Sequence, residues 1–198
     1  MISVPRSLAF PRSLQGQLLL ATGFACLTAL GAQVQIPIGP VPITLQVLFV
    51  LLSGLVLGSK LGAASQMEYL AAGLAGAPVF AQGKSGVIAL LGPTGGYLVG
   101  FVVAAYLAGL VAESASAPGK ARFFVAGLLG ATANLLCGTI WLATWLSVGH
   151  GTSWLAEMGS AWQIGFLPFI LLDAGKALVA SAVTLSGRGL VALLRQRW

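Results

Sequence analysis

The sequence predicts an all-α polytopic membrane protein: a six-transmembrane-helix bundle, one membrane domain over residues 1–198, with both termini cytoplasmic. Three observations predict it. The 198 residues are 58% hydrophobic and 7% charged, against about 25% charged in a soluble domain, so the chain cannot cover a water-facing surface. Six apolar runs approach or reach the length of a bilayer span, about 17–25 residues. The basic residues gather on one side of those runs.

The runs follow one another with short connections. After a polar lead-in with Arg6 and Arg12, the first run is 16–33. A positive segment before an apolar one is also the pattern of a signal peptide, but this run exceeds a usual signal core and ends without a clear cleavage site, so it reads as a retained span. The second run, 43–58, follows the segment QIPIGPVPIT, which has three prolines and no charge. The third is 61–80. A glycine-rich stretch, 81–96, leads to the fourth, 97–112. The charged, proline-containing ESASAPGKAR separates it from the fifth, 123–148. A polar link, 149–162, precedes the sixth, 164–185. None of these runs alternates polar and apolar residues as barrel strands do, so the spans read as helices.

Six spans put both termini on one side. That side carries Arg6, Arg12, Lys60, Lys120, Arg122, Arg188, Arg195 and Arg197, while the loops of the other carry Lys84 alone. Basic residues favour the cytoplasmic side. The net charge of +6 is therefore read as topology and contact with anionic lipid rather than as a nucleic-acid surface. The proline segment then falls on the outer face.

No catalytic constellation appears. The single histidine, His150, lies in a loop, and HExxH, GxSxG and Walker sequences are absent,. GPTGGY lacks the ending of a phosphate loop, so the chain does not itself hydrolyse ATP. Cys26 and Cys137 stand in apolar runs without a CxxC or His/Cys cluster; they read as small core residues, with no metal site.

The residues that stand out are polar groups inside the spans. Asp173 and Lys176 are spaced i, i+3 in the sixth run and share a helix face. Ionisable groups at membrane depth are costly and face a bundle interior or a cavity. The pair reads either as a self-satisfied ion pair or as the polar floor of a ligand site. Glu68, in the third run, reads as a partner of Lys176 or Lys60 or as an interfacial group. Asn134 and Gln46 offer amides to a neighbouring helix or to a ligand. Tyr69, Phe80, Tyr97, Trp141 and Trp145 are candidates to line an apolar pocket. Ala21, Ala25 and Ala29, four residues apart, flatten one face of the first helix, for internal packing or for a partner subunit.

IPIGPVPITLQVLFVLLSGLVLG (36–58), GLAGAPVFA (73–81), GPTGGYLVGF (92–101) and DAGKA (173–177) together resemble the BioY family, the biotin-binding membrane subunits (S components) of energy-coupling factor vitamin transporters. The resemblance runs in order from about residue 16 to residue 185. It implies that biotin is the transported ligand, held near the outer face, with no cofactor. It implies that Asp173 and Lys176 belong to the binding site, Asp173 accepting from the ureido N–H groups and Lys176 donating to the carbonyl or holding Asp173. Gln46, Tyr69, Phe80, Asn134 and Trp141, with Gly95, Gly96 and Tyr97 of GPTGGY, would surround the ring. Pro37, Gly39, Pro40 and Pro42 would form a stiff lid; proline fixes φ and removes a donor, so such a lid loses little entropy on closing. The alanine face would meet a transmembrane coupling subunit, with two ATP-binding cassette subunits supplying energy. The implied cycle is capture outside, docking, toppling of the bundle and release inside. Three other readings remain: an S component for another vitamin such as riboflavin or thiamine, an autonomous secondary transporter with Asp173, Lys176 and Glu68 as a proton relay, and an intramembrane enzyme.

Overall fold

A computed structural model of the protein describes residues 13–114 and 120–196, with residues 120 and 188–196 described by backbone alone. Arg6, Arg12 and Arg197, which enter the charge asymmetry, lie outside the described residues.

Helix α1 (Leu14–Gln33) starts where the Ser13 hydroxyl accepts the Gly16 N–H. Strands β1 (Gln35–Ile36) and β2 (Ile43–Thr44) follow, then α2 (Gln46–Leu57), α3 (Ser59–Leu74), a 3-10 turn at Ala81–Gly83, α4 (Gly86–Leu91), α5 (Gly95–Glu113), α6 (Lys120–His150), α7 (Trp154–Gly165) and α8 (Leu167–Gln196). Among the described residues four helices, α1, α5, α6 and α8, are long and apolar enough to cross a membrane. The all-α membrane architecture is as expected.

The differences lie where the apolar runs overstate the helices. The run 43–58 yields only the 12 residues of α2, about 18 Å at 1.5 Å per residue. The run 61–80 yields the 16 residues of α3, about 24 Å. Both fall short of a hydrocarbon core of about 30 Å. At one end of the bundle their missing length is filled by the β1–β2 segment before α2 and by the segment 75–94 after α3. Two further helices arise in stretches read as connections, α4 in the glycine-rich stretch and α7 in the polar link.

The proline segment is a two-stranded antiparallel hairpin. Gln35 pairs with Thr44 and Ile36 with Ile43. Its base is tied to α1, since the Leu45 N–H donates to the carbonyls of Gly31 and Val34. Gly39 turns the tip at φ +113°, a backbone region that glycine enters without steric cost. Pro37, Pro40 and Pro42 flank it in the tip, where a missing N–H leaves nothing unsatisfied.

The opposite half of the bundle is packed on small residues. A Cβ at Gly62 would stand 2.8 Å from the Gly54 Cα, so only glycine lets α3 cross α2 this closely. The α2–α3 turn is capped by Glu113 at the end of α5, which accepts from the Ser59 N–H at 3.0 Å and the Ser59 hydroxyl at 2.8 Å.

Two expectations are corrected here. Ala21 and Ala25 are buried, and Ala29 is half-buried against the same core. The stripe faces inward, towards the helices α1 packs on, and serves internal packing rather than an open docking face. Cys26 is exposed on α1 rather than in the core, and Cys137 is half-buried.

Candidate functional site

The site lies at the hairpin end, where short α2 and α3 leave room between the longer helices. A cavity there offers about 60 Å³ to the centres of water-sized molecules, room for a few waters. Its floor is polar. The Lys176 ammonium donates to Asp173 Oδ1 at 2.7 Å, with both side chains nearly buried. Asn134, on α6, is 1% exposed and lines the same cavity. Its Oδ1 is buried and meets no hydrogen-bond partner. Gly100 on α5 makes space for this amide: a Cβ there would lie 2.6 Å from Oδ1. An orphaned buried acceptor costs about 1–3 kcal/mol, and native structures retain few of them.

The walls are apolar and aromatic. Phe80, Tyr97, Phe101 and Phe169 line the cavity with Val47, Leu98 and Leu135. The Tyr97 hydroxyl donates to the Gly165 carbonyl at 2.6 Å, which ties the start of α5 to the end of α7 and fixes the ring. The hairpin closes the top through Val41 and Pro42. Val41 is buried in one cluster with Tyr97, Leu135 and Phe169.

One hydrogen-bond chain ties the hairpin to the far wall. Thr44 Oγ1 donates to Gln46 Oε1 at 3.0 Å, and Gln46 Nε2 donates to the Tyr69 hydroxyl at 2.7 Å. The Tyr69 hydroxyl donates to the Val79 carbonyl at 3.1 Å. Phe80, the next residue, meets the Tyr69 ring edge-on at 5.5 Å. Gln46 thus faces the cavity with its amide already oriented from behind.

Of the residues singled out by sequence, Asp173, Lys176, Asn134, Gln46, Phe80, Tyr97 and Pro42 come together on the cavity. Tyr69, Gly95, Gly96, Trp141, Pro37, Gly39 and Pro40 are not among its lining. Tyr69 stands behind Gln46. Trp141 Nε1 donates to the Gly92 carbonyl at 2.8 Å, so it holds the GPTGG turn. Gly96 lets α5 approach Trp141, since a Cβ there would lie 2.6 Å from the Cys137 carbonyl oxygen. Trp145 is 40% exposed and is not among the cavity lining. Glu68 is half-buried between α3 and α1, where it accepts from Thr22 Oγ1 at 3.0 Å; it joins neither Lys176 nor Lys60 in an ion pair.

The reading missed Val41, Thr44, Gln82, Lys84, Thr94, Phe101 and Phe169. In the sequence Lys84 stands out as the lone cation in the loops of its side, a signal of orientation that carries no sign of contact with a cavity. Phe101 and Phe169 have no local signal, since an inward aromatic and a lipid-facing one look alike in an apolar run. Among the described residues no His/Cys/Asp/Glu group could hold a metal ion.

With this geometry in hand, the chain can be set beside known proteins. The BioY family model matches residues 7–192. The "Probable biotin transporter BioY" of Pyrococcus horikoshii is 42% identical over 165 residues, covering 83% of this chain and 90% of the relative. The "Biotin transporter BioY" of Thermotoga maritima is 41% identical over 169 residues, covering 85% of this chain and 94% of the relative. A crystal structure of the S-component for biotin from an ECF-type ABC transporter superposes with a TM-score of 0.73 at 27% identity, over 87% of this chain and 90% of that one.

Proposed function

The chain belongs to the BioY family, and from that premise we propose that it is a biotin-binding S component, a transport protein rather than an enzyme, whose ligand site is the cavity at the hairpin end. The observation that carries the site is that Asn134, an amide whose Oδ1 has no hydrogen-bond partner, lines one cavity with the Asp173–Lys176 pair. A ureido ring has two N–H donors and a carbonyl acceptor. Asp173 and Asn134 supply acceptors, Lys176 a donor, and the aromatic walls cover the ring faces. All these groups are neutral in sum, as fits the uncharged ring. The remaining cavity residues singled out by sequence, Gln46, Phe80 and Tyr97, shape the site, with Tyr69, Gly95, Gly96 and Trp141 holding it in place from behind.

In this reading all six runs cross a bacterial inner membrane, α2 and α3 by tilting and with the hairpin and segment 75–94 completing their length. Both termini face the cytoplasm and the cavity opens outward. The hairpin carrying Pro37, Gly39, Pro40 and Pro42 is the lid. A cavity of about 60 Å³ is narrow beside the roughly 300–1,000 Å³ of small-molecule sites, so the hairpin tip moves outward to admit the ligand and Val41 closes over it. Delivery inward needs a transmembrane coupling subunit and ATP-binding cassette subunits, because this chain has no nucleotide motif of its own. A proton relay is the weaker alternative, since Glu68 bonds Thr22 and does not line the cavity.

Calorimetric titration of biotin into the purified protein in detergent, beside Asp173→Ala and Lys176→Ala, tests the reading. One-to-one binding by wild type, lost in both variants, is the expected result. A folded wild type that ignores biotin but binds another vitamin would leave the site and overturn its ligand.

A further inference from the structure

The charged side chains that line the cavity do not cancel. Asp173 and Lys176 neutralise each other at 2.7 Å on the floor. Lys84 remains, exposed in the loop at the other end of the cavity lining. It has no ion-pair partner among the described residues. The cavity therefore carries one uncompensated positive charge, at its solvent side.

Lys84 is placed there by a built turn. The Phe80 N–H donates to the Lys84 carbonyl at 3.1 Å, and the Lys84 N–H donates to the Ala81 carbonyl at 3.4 Å. Between them, Gln82 adopts φ 64°, ψ 24°, the one non-glycine residue with positive φ among those described. A non-glycine residue in this region is strained by roughly 1–2 kcal/mol, and such strain persists where the surroundings enforce it and clusters at ligand clamps. Phe80, Gln82 and Lys84 all line the cavity, so one strained turn sets an aromatic wall and a cation on the same opening.

We infer that Lys84 receives the carboxylate at the end of the ligand's aliphatic tail, which makes the site selective for the anionic acid over its neutral esters and amides. The inference rests on the biotin reading above. The ring meets the neutral floor at Asp173, Lys176 and Asn134, and the monoanionic tail points outward to the single free charge, so the occupied site is electrically balanced.

The test is calorimetric titration of biotin and of its neutral methyl ester into wild type, Lys84→Gln and Lys84→Arg, at low and high salt. Lys84→Gln is expected to weaken biotin about tenfold, the lower end of the range for one charge-assisted hydrogen bond because the site is exposed. The ester should bind wild type and Lys84→Gln alike, Lys84→Arg should restore biotin, and added salt should weaken biotin but not the ester. Equal weakening of both ligands by Lys84→Gln assigns the residue to the turn rather than to the tail and overturns the inference. Unchanged biotin affinity overturns it as well. A wild type that binds neither ligand overturns the biotin reading, and this assignment with it.

Discussion

Two buried polar clusters sit inside the bundle, built from similar side chains, and they end differently. Between α1, α2 and α3, Gln66 is fully buried. Its Nε2 donates to Ser53 Oγ at 3.2 Å and Ser65 Oγ at 3.1 Å, and its Oε1 accepts from Thr28 Oγ1 at 3.3 Å. Three helices meet there with the amide matched on both sides and glycine-sized gaps around it. Near the hairpin, Asn134 is as deeply buried, but its Oδ1 has no partner, and the residue lines one cavity with the Asp173–Lys176 pair. Satisfied polar groups in a membrane bundle join helices; an unsatisfied one over a cavity is addressed to something else. The difference separates an amide spent on joining helices from one left open, which the proposed site assigns to the ligand.

The comparison is broken most forcefully at the ion pair. Asp173→Ala should abolish measurable biotin binding and also lower the melting temperature, because removing one partner of a buried pair costs about 3–5 kcal/mol. Replacing both members, as Asp173→Leu with Lys176→Met, should return much of the thermal stability while leaving binding absent, since an apolar pair of similar volume is often neutral or better. Binding that survives in the double variant would make the pair structural.

The two amides give a reciprocal test. Asn134→Leu should weaken biotin about 10–100-fold without lowering the melting temperature, because the substitution removes an acceptor that the protein itself does not satisfy. Gln66→Leu should do the reverse: it should cost about 1–3 kcal/mol of stability by removing the hydrogen bonds that join Thr28, Ser53 and Ser65 across three helices, with biotin affinity unchanged. Titration and thermal melts on the same two proteins read both halves.

Smaller effects sharpen the boundary of the site. Tyr69→Phe keeps the ring against Phe80 but frees the Gln46 amide, and it should weaken biotin by about tenfold or less, the size of one neutral hydrogen bond acting indirectly. The smallest effect belongs to Glu157 on α7, outside the spans. It pairs with His150 Nδ1 at 2.8 Å and accepts from Thr152 Oγ1 at 2.8 Å, and these contacts, His150 first, hold its carboxyl below the ordinary 4.5. A lowered carboxylate stabilises the fold above its ordinary value and loses that contribution as pH falls through the lowered one. Glu157→Gln should therefore melt slightly below wild type at neutral pH, the gap closing in strong acid, with biotin binding unaffected throughout.

The long helices were legible because their apolar runs approach or exceed the length of a bilayer span, and Asp173, Lys176 and Asn134 because polar groups are costly there. The ends of α2 and α3 were not legible. Ile43 and Thr44 pair with β1 instead of starting a helix, and residues 75–80 leave α3 although GLAGAPVF stays apolar; hydropathy does not separate an apolar coil from an apolar helix. The inward turn of Ala21 and Ala25 was equally hidden, since small residues suit either an internal or an external contact. Trp141 and Tyr69 were visible as aromatics, but their roles depend on backbone carbonyls at Gly92 and Val79 that only the fold brings near.

The central claim is that the orphaned amide and the ion pair on the cavity floor hold the ring of biotin, and it is tested most directly by determining the structure with biotin bound. The account predicts the ureido ring on that floor, within hydrogen-bond distance of Asp173 and with Asn134 Oδ1 now partnered, beneath a hairpin whose Val41 covers the ring. Biotin seated elsewhere, with Asn134 Oδ1 still without a partner, would contradict it.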